Sequence, residues 1–398
     1  MRFVGQHFGM SGVRPAPITL KKRLTRVLRQ GHPWVFRDAL ERPPNLASGM
    51  LVELRTRDQR PVGVGYWDAR SPIAVRVLEP GPLPDAEAAV RARLRAALQR
   101  RLERLDRART TAFRWVHGEA DRLPGIHVDL YDDAAVVRFD GSGAQAFYRE
   151  IGAALAEAAR PLPVRTVIDR QTGAPLLGRA AAGERVVLEN GLKFEVSLGV
   201  GGKGGLFLDQ RENREEVERR ASGRSVLNLF GYTGAFAMYA IRGGARSTDT
   251  VDTARPALAA ARRNFERNGM PSAQAGFHGV DAFEFLQAAV HRGRRWDLVI
   301  SDPPSFAPRK SARENARRAY TRLHRLAATV TAPGGVLCAA SCSSHFGREE
   351  FLASVDEGAR AAGRRFALEE MRGAGFDHPV LPAFPEGDYL KFAIGQVQ

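Results

Sequence analysis

The pattern of apolar and polar positions divides the chain into three regions of different structural type. Up to residue 82, short apolar runs alternate with turn residues, and this spacing is typical of a small β-barrel. The runs lie at residues 17–20, 32–36, 50–54, 61–66 and 73–78. The segment Pro80–Pro84, rich in proline and glycine, predicts a linker after the barrel.

The second region predicts a linker helix followed by a small α+β module. Leucines 94, 98, 102 and 105 fall on one face of a helix. A turn at Tyr131–Asp133 separates two strands and predicts a hairpin. The predicted elements are a helix at about 85–106, strands at 126–131 and 134–139, a helix near 143–159 and a strand at 164–168.

From about residue 191, strands alternate with helices, which is typical of a mostly parallel α/β sheet. Glycines that follow the periodic segments predict helix ends after residues 268 and 330. The predicted strands are 226–230, 246–252, 275–280, 298–301, 336–340, 365–371 and 389–394. Ligands bind at the carboxyl ends of strands in such sheets, so residues that follow these strands are the first candidates for function.

Composition restricts the class of protein. Of 398 residues, 44% are hydrophobic and 26% are charged, as in ordinary globular proteins. Two cysteines cannot form a disulfide framework, and no apolar run reaches the roughly 18 residues of a membrane span. The first ten residues lack a sustained apolar stretch. We therefore expect a cytoplasmic protein without a membrane partner.

The positive charge is concentrated near the N-terminus. Residues 1–84 carry 14 Lys and Arg against 6 Asp and Glu, so their net charge of +8 is half of the +16 of the whole chain. A compact basic module predicts a phosphate-rich partner such as RNA. The alternative explanation is a GC-rich genome that favours arginine throughout the chain.

A glycine turn after the first strand of the α/β region indicates a nucleoside site. Gly231 and Gly234 lie between this strand and a helix, and glycine allows a ligand to approach the backbone. Asp252 ends the next strand, 21 residues after Gly231, and its carboxylate suits a ribose diol. A dinucleotide fingerprint needs a further glycine where Leu229 stands, so a nucleoside ligand without a pyrophosphate fits better.

Two further carboxylates and a thiol also follow predicted strands. Asp281 could accept a hydrogen bond from an adenine amino group, and Asp302 precedes two prolines. Cys342 follows an apolar strand in a polar turn, whereas Cys338 lies inside that strand and predicts a buried thiol. Each acid alone is more typical of a loop or a helix cap. Together, at successive strand ends, they favour one pocket that Asp302 and Cys342 both face.

These motifs resemble known methyltransferases. Segment 226–236, Asp252, Asp281 and Asp302–Pro304 resemble motifs I to IV of class I S-adenosylmethionine-dependent methyltransferases. Together with them, further segments resemble the bacterial ribosomal RNA large subunit methyltransferase I family, from about residue 17 onward: 32–36, 118–125, 205–211, 377–380 and 385–391. The resemblance implies a tail (1–16), a PUA RNA-binding β-barrel (17–84), a linker helix with a central α+β domain (85–190) and a Rossmann-like methyltransferase domain (191–398).

The resemblance also implies S-adenosylmethionine as the cofactor, no metal ion, and large-subunit ribosomal RNA as the partner. Residues implied at the cofactor are Phe207, Asp209, Gln210, Arg211, Phe230, Gly231, Gly234, Asp252, Val280, Asp281, Asp302 and Pro303. Residues implied at the RNA substrate are Trp34, Ser305 and Phe306, the last by stacking on a flipped base.

Cys342 and Asp302 are then the expected catalytic residues. Cytosine C5 is too weakly nucleophilic to take a methyl group directly, but addition of a thiolate at C6 turns C5 into an enamine carbon. Asp302 would favour this addition by protonating or hydrogen bonding N3. Methylation of a base nitrogen needs no thiol, so Cys342 favours 5-methylcytosine in 23S ribosomal RNA.

Several alternatives stay open. Many RNA cytosine-5 methyltransferases carry a second cysteine after the motif IV proline, where this chain has Pro304 and Ser305. The base that removes the C5 proton is therefore Ser305, His345, Asp302 or a water. The same fold could methylate uracil C5 or a purine nitrogen, or the chain could be a non-catalytic ribosome assembly factor. The basic module either grips RNA or only docks on the methyltransferase domain. Family members can dimerise, and a homodimer is left open.

Overall fold

The computed structural model describes residues 14–42, 44–179, 183–199, 204–307 and 309–398. Residues 1–13 of the predicted tail lie outside these ranges. The described residues form two units. The first comprises those within Met1–Gly191, Leu198–Gly202 and Phe376–Gly387, and the second those within Leu192–Ser197, Lys203–Gly375 and Asp388–Gln398. The predicted boundaries at residues 84 and 190 remain predictions.

The short apolar runs before residue 80 form one sheet in the first unit. The elements are β1 (Ala16–Thr19), α1 (Thr25–Arg29), β2 (Trp34–Phe36), β3 (Leu51–Arg55), β4 (Pro61–Trp67) and β5 (Ile73–Glu79). The strand order is β1-β3-β4-β5-β2, and β1 runs parallel to β3 while the other pairs are antiparallel. Val52 and Leu54, two positions apart on β3, are both buried, as the alternation predicts.

A second sheet of the first unit follows a long helix. The elements are α2 (Ala86–Leu102), β6 (Ala112–His117), β7 (Ile126–Tyr131), β8 (Ala134–Phe139), α3 (Ser142–Phe147), α4 (Ile151–Ala158), β9 (Thr166–Asp169), β10 (Pro175–Leu177) and β11 (Glu184–Glu189). The strand order is β10-β9-β8-β7-β6. The predicted hairpin of β7 and β8 is confirmed, and its turn residue Asp132 has a left-handed φ of 59°.

The single helix predicted over residues 143–159 is wrong, because the chain breaks between α3 and α4. Tyr148, which ends α3, donates a hydrogen bond from its hydroxyl to the Pro124 carbonyl and packs edge-on against Tyr66. These contacts override the local helical pattern. Tyr66 and Leu51 of the first sheet share one hydrophobic core with Leu94 and the β6–β8 strands, so both modules belong to one unit.

The second unit has the predicted α/β alternation. Its elements are β12 (Leu192–Ser197), α5 (Arg211–Arg220), β13 (Ser225–Leu229), α6 (Ala235–Arg242), β14 (Ser247–Val251), α7 (Arg255–Arg267), β15 (Ala275–His278), α8 (Ala282–His291), β16 (Trp296–Ser301), α9 (Arg313–Val330), β17 (Thr331–Ser341), α10 (Arg348–Ala361), β18 (Phe366–Arg372) and β19 (Lys391–Val397). Single turns of 3-10 helix lie at 37–39, 118–121 and 385–387 in the first unit and at 208–210, 272–274 and 310–312 in the second.

The main sheet of this unit has the order β15-β14-β13-β16-β17-β19-β18. The strands from β15 to β17 are parallel, and β19 runs antiparallel to both β17 and β18. Leu227 and Val299 face one buried layer, and Val226 and Ile300 face the other. Near-continuous apolar strands therefore belong to a sheet covered on both faces. Among the helices that the structure describes, none is long and apolar enough to cross a membrane.

Candidate active site

Parallel strands of the second unit end at one edge of the sheet, where the predicted site residues collect. Phe230 follows β13, Asp252 follows β14, Asp302 follows β16 and Cys342 follows β17. Asp281 lies three residues after the end of β15. Register-paired parallel strands place their carboxyl ends together, so the sheet itself brings the predicted acids and the thiol to one edge.

The loop between β13 and α6 is held in an unusual backbone conformation. Phe230 and Tyr232 have left-handed φ values of 55° and 47°, which cost a non-glycine residue about 1–2 kcal/mol each. A Cβ on Gly231 would lie 2.5 Å from the Thr250 methyl carbon and 2.6 Å from Asn228 Nδ2, so only glycine fits there. Backbone strain of this kind is concentrated at ligand-binding loops.

The segment before α5 lies against this loop. The Tyr232 hydroxyl accepts a hydrogen bond from the Gly205 amide at 3.1 Å, and the Thr233 hydroxyl donates to the Gly205 carbonyl at 2.5 Å. The exposed Phe207 ring lies 5.4 Å from the Tyr232 ring. Arg214 donates to the Phe207 carbonyl at 2.9 Å and fixes its backbone. The structure therefore places Phe207 beside the strained loop, and its contact with the cofactor remains a prediction.

Asp252 and Asp281 retain free acceptor capacity. Each oxygen of Asp252 accepts one backbone amide, from Tyr232 at 2.9 Å and from Ala254 at 2.8 Å. A carboxylate offers about four lone-pair positions, so both oxygens can accept further bonds. Asp281 caps α8 through Oδ1 alone, and its Oδ2 accepts no bond from the described residues. The neighbouring Val280 side chain is exposed.

Asp302 is partly buried and tied to a chain of amides. Its Oδ2 accepts from Gln210 Nε2 at 3.0 Å. Gln210 Oε1 accepts from Asn213 Nδ2 at 2.6 Å, and Asn213 Oδ1 accepts from Arg372 Nε at 3.1 Å. This chain turns the Gln210 N–H toward Asp302. Burial, and then the charge of nearby Asp209, raises the pKa of Asp302 from 3.8 to about 7.

The turn that carries Cys342 is fixed by hydroxyl groups. Ser343 Oγ lies 2.9 Å from Ser305 Oγ and 3.0 Å from the Tyr320 hydroxyl. The same tyrosine hydroxyl lies 2.8 Å from Ser341 Oγ. The residues on both sides of Cys342 are therefore bonded to buried Tyr320, which leaves the thiol in a defined position at the strand end.

Both cysteines are protonated thiols at neutral pH. Burial raises the pKa of Cys338, inside β17, to about 12. Burial, followed by the charges of Asp302 and Asp209, raises the pKa of Cys342 to about 11. Cys342 differs in being only partly buried, and Lys391 acts in the opposite direction by lowering its pKa. A nucleophilic Cys342 thus needs help to ionise.

Sequence reasoning assigned no role to Tyr389 and Lys391, although both lie in a segment singled out by the resemblance. The Tyr389 hydroxyl donates to Asp209 Oδ2 at 2.6 Å. The Lys391 ammonium donates to the carbonyls of Ser343 and Tyr389, each at 2.7 Å. Lys391 is only 3% exposed. The sequence feature that could have revealed Lys391 is a single lysine in an otherwise mostly apolar strand, because a buried lysine is rare.

Other predicted residues have different surroundings. Arg211 is buried and bonds Glu212 at 3.0 Å, and Pro303 is buried beside Asp302. The Phe306 ring packs 4.8 Å from the Tyr320 ring, so its stacking on a base remains a prediction.

Two of the candidates for removing the C5 proton have different surroundings. His345 is exposed, whereas the Ser305 hydroxyl is hydrogen bonded to Ser343.

Trp34 lies in the first unit. Its indole N–H donates to Glu119 Oε1 at 2.8 Å, and its ring lies 4.6 Å from Phe384. The Arg76 guanidinium stacks over the same ring and bonds the same Glu119 oxygen. Packing of these groups accounts for the ring position, and a contact of Trp34 with RNA remains a prediction.

Comparisons with known proteins identify the family and its domains. Residues 168–386 match the family model of S-adenosylmethionine-dependent methyltransferases, and residues 18–80 match a PUA-like domain. The chain is 34% identical over 390 residues to a ribosomal RNA large subunit methyltransferase I of Aeromonas salmonicida, covering 94% of this chain and 97% of the relative. It is 37% identical over 381 residues to a ribosomal RNA large subunit methyltransferase of Deinococcus radiodurans, covering 92% and 93%.

Solved structures share the fold. One described as a SAM-dependent methyltransferase from Streptococcus mutans superposes with a TM-score of 0.82 at 22% identity, covering 96% of this chain and all of the other. A methyltransferase complexed with SAH gives a TM-score of 0.80 at 23% identity, with the same coverage.

Proposed function

The chain belongs to the S-adenosylmethionine-dependent methyltransferases of the ribosomal RNA large subunit methyltransferase I family, and on that premise we propose that it forms 5-methylcytosine in large-subunit ribosomal RNA. One observation carries the proposal. A cysteine thiol and a carboxyl group with a pKa of about 7 follow adjacent strands at the same edge as the residues that we expect to bind the cofactor. Cytosine methylation at carbon requires a nucleophile and a proton donor of this kind.

The residues at the sheet edge fit S-adenosylmethionine, which supplies an electrophilic methyl group when it is bound. Gly231 allows close approach to the strained loop, and the exposed Phe207 and Val280 offer apolar surface to a nucleoside. Asp252 can accept from the ribose hydroxyls, and the free Oδ2 of Asp281 can accept from the adenine amino group.

Cys342 would act as the nucleophile toward the base. Its thiolate forms an S–C6 bond while the C5–C6 π bond breaks and N3 takes a proton, which leaves C5 as an enamine carbon. After methylation at C5, loss of the C5 proton and elimination of the thiolate from C6 restore the double bond. The fixed turn of Ser341 and Ser343 limits the positions that the sulfur can take, which favours one geometry of attack.

Asp302 would supply the proton at N3 and distinguish cytosine from uracil. A neutral carboxyl donates to cytosine N3, which is an acceptor, whereas uracil carries an N–H at that position. Near its pKa of about 7, Asp302 is protonated in a large fraction of molecules, so it can donate at the pH of the cell. Gln210 holds the other end of the carboxyl group and fixes its direction.

The first unit would bind the RNA backbone. Arg26 and Arg29, three residues apart on α1, and Arg23, just before this helix, are exposed and form no ion pair with the described residues. Unpaired arginines on one surface suit phosphate groups. Because this module shares its core with the rest of the first unit, charge reversal at Arg26 and Arg29 tests binding better than deletion of residues 1–84. We expect weaker RNA binding and a smaller salt dependence.

Nucleoside mass spectrometry of large-subunit RNA from a deletion strain tests the function. We expect loss of one 5-methylcytosine, its return with the wild-type gene, and no return with Cys342→Ala, whose activity should fall at least about a thousandfold. Cys338→Ala is the matched control, since it removes the buried thiol inside β17, four residues before Cys342, and it should restore the modification. Loss of a methylated uracil or purine, or full activity of Cys342→Ala, would refute the proposal.

A further inference from the structure

We propose that Lys391 is the positioning residue of the catalytic thiol, which fixes the turn around Cys342 and stabilises its thiolate by its positive charge. The inference rests on the proposed function, in which Cys342 is the nucleophile. It concerns a residue of β19 to which the sequence pattern assigned no role.

The sheet register places Lys391 next to the turn that carries Cys342. β19 runs antiparallel to β17, and Lys391 is the register partner of Ser341, the last residue of β17. From this position its Nζ reaches the Ser343 carbonyl at 2.7 Å. Cys342 is the residue between these two contacts, so Lys391 spans the backbone that presents the thiol.

The charge of Lys391 lacks a carboxylate partner among the described residues. Its ammonium has three N–H groups, of which two are donated to the carbonyls of Ser343 and Tyr389. Carbonyl oxygens solvate the charge but do not neutralise it, and no described acidic oxygen forms an ion pair with Nζ. A buried lysine normally has such a partner. The negative group that this site can supply is the Cys342 thiolate.

The surrounding charges support this pairing. Asp302 and Asp209 face Cys342 and disfavour its thiolate, and Lys391 favours it. Around Lys391 itself, burial lowers the pKa to about 8, the interaction with Cys342 and the charge of Asp388 raise it, and the charge of Arg348 lowers it. The pKa of Tyr320 is raised by burial and, to a smaller extent, by the charge of the Cys342 thiolate. Loss of the Cys342 proton to solvent thus turns an uncompensated ammonium into an ion pair.

Alkylation of Cys342 by iodoacetamide tests the inference without RNA or methyl transfer. The full-length chain is assayed by intact mass from pH 6.5 to 10, with Cys342→Ala as the blank. In Lys391→Met we expect alkylation at pH 7, where Lys391 is charged, to slow about tenfold, which corresponds to a thiol pKa about one unit higher. Lys391→Arg keeps the charge and should stay within about threefold of wild type. Lys193→Met, the same change at an exposed lysine of β12, should match wild type.

Binding of S-adenosylmethionine, measured by calorimetry, verifies that each variant is folded. If Lys391→Met does not fold, Lys391→Gln carries the test, because it keeps N–H donors without the charge. A folded, uncharged variant with the wild-type alkylation profile would overturn the inference. That result is distinct from failure of the proposed function, which shows as methylation by Cys342→Ala.

Discussion

Replacement of Asp302 by asparagine should have opposite effects on two quantities, the rate of methylation and the free energy of unfolding. The side chain keeps its size and can still bond Gln210, but it no longer titrates. Methylation should fall by about 10²–10⁴-fold, the usual contribution of a positioned acid or base. The same change should stabilise the fold at neutral pH, because a carboxyl whose pKa is raised destabilises the folded state when it ionises.

The pH dependence follows from the raised pKa. The unfolded chain releases the Asp302 proton near pH 4, whereas the folded chain retains it to about pH 7, so wild-type stability falls as the pH rises through this window. Each pKa unit corresponds to about 1.4 kcal/mol. The full pKa shift corresponds to roughly 4 kcal/mol of unfolding free energy, which we halve because the group is partly exposed. At pH 8 the variant should therefore be more stable than wild type by about 2 kcal/mol.

Urea unfolding at pH 5, 6, 7 and 8, followed by hydrogen exchange in β16, measures this difference in the second unit. The advantage of Asp302→Asn should grow from pH 5 to pH 7 and then stay constant.

Asp297→Asn, at the other end of β16, is the matched control. Burial raises the pKa of Asp297, but hydrogen bonds from Ser225 and the charge of Arg246 outweigh it and lower that pKa. This variant should be destabilised equally from pH 5 to pH 8. A pH-independent difference for Asp302→Asn would refute both the neutral carboxyl and its donor role.

Three further substitutions test other parts of the structure. Gly231→Ala should cost about 1–3 kcal/mol in urea unfolding and weaken S-adenosylmethionine binding, because its Cβ would meet Thr250 at 2.5 Å. Asp252→Asn should weaken that binding about 10–100-fold by calorimetry and also lower the melting temperature, because one of the two backbone amides that Asp252 accepts loses its acceptor. Arg101→Met should lower the stability of the first unit by about 2–3 kcal/mol, because it removes the bidentate partner of the buried Asp121 and leaves it paired with the exposed Arg100.

Local signals accounted for most of the fold. The β7–β8 hairpin followed from two alternating strands around a short turn, and the α/β alternation followed from apolar runs at strand spacing. The sequence did not show the break between α3 and α4, since Tyr148 is held by residues outside the helix. Strand β6 escaped explicit prediction, although Ala112–His117 contains buried apolar positions.

The sequence allowed prediction of those site residues that directly follow a strand. Position after a strand is a local property, and it located Asp252, Asp302 and Cys342. The supporting groups come from distant segments. Asn213 meets Arg372 across 159 positions of sequence, and Lys391 meets the Cys342 turn through pairing of non-consecutive strands. Only the three-dimensional register reveals such contacts.

The discontinuity of the first unit has a consequence for its biosynthesis. Arg101 donates a hydrogen bond to the Asp377 carbonyl, 276 positions later, and the Trp34 ring packs on Phe384. At about 5–20 residues per second, the ribosome makes Asp377 roughly 15–55 s after Arg101. The nascent N-terminal part therefore lacks these two contacts until residues 376–387 have been made. Premature termination before residue 376 should yield a fragment that chaperones and proteases recognise as unfinished.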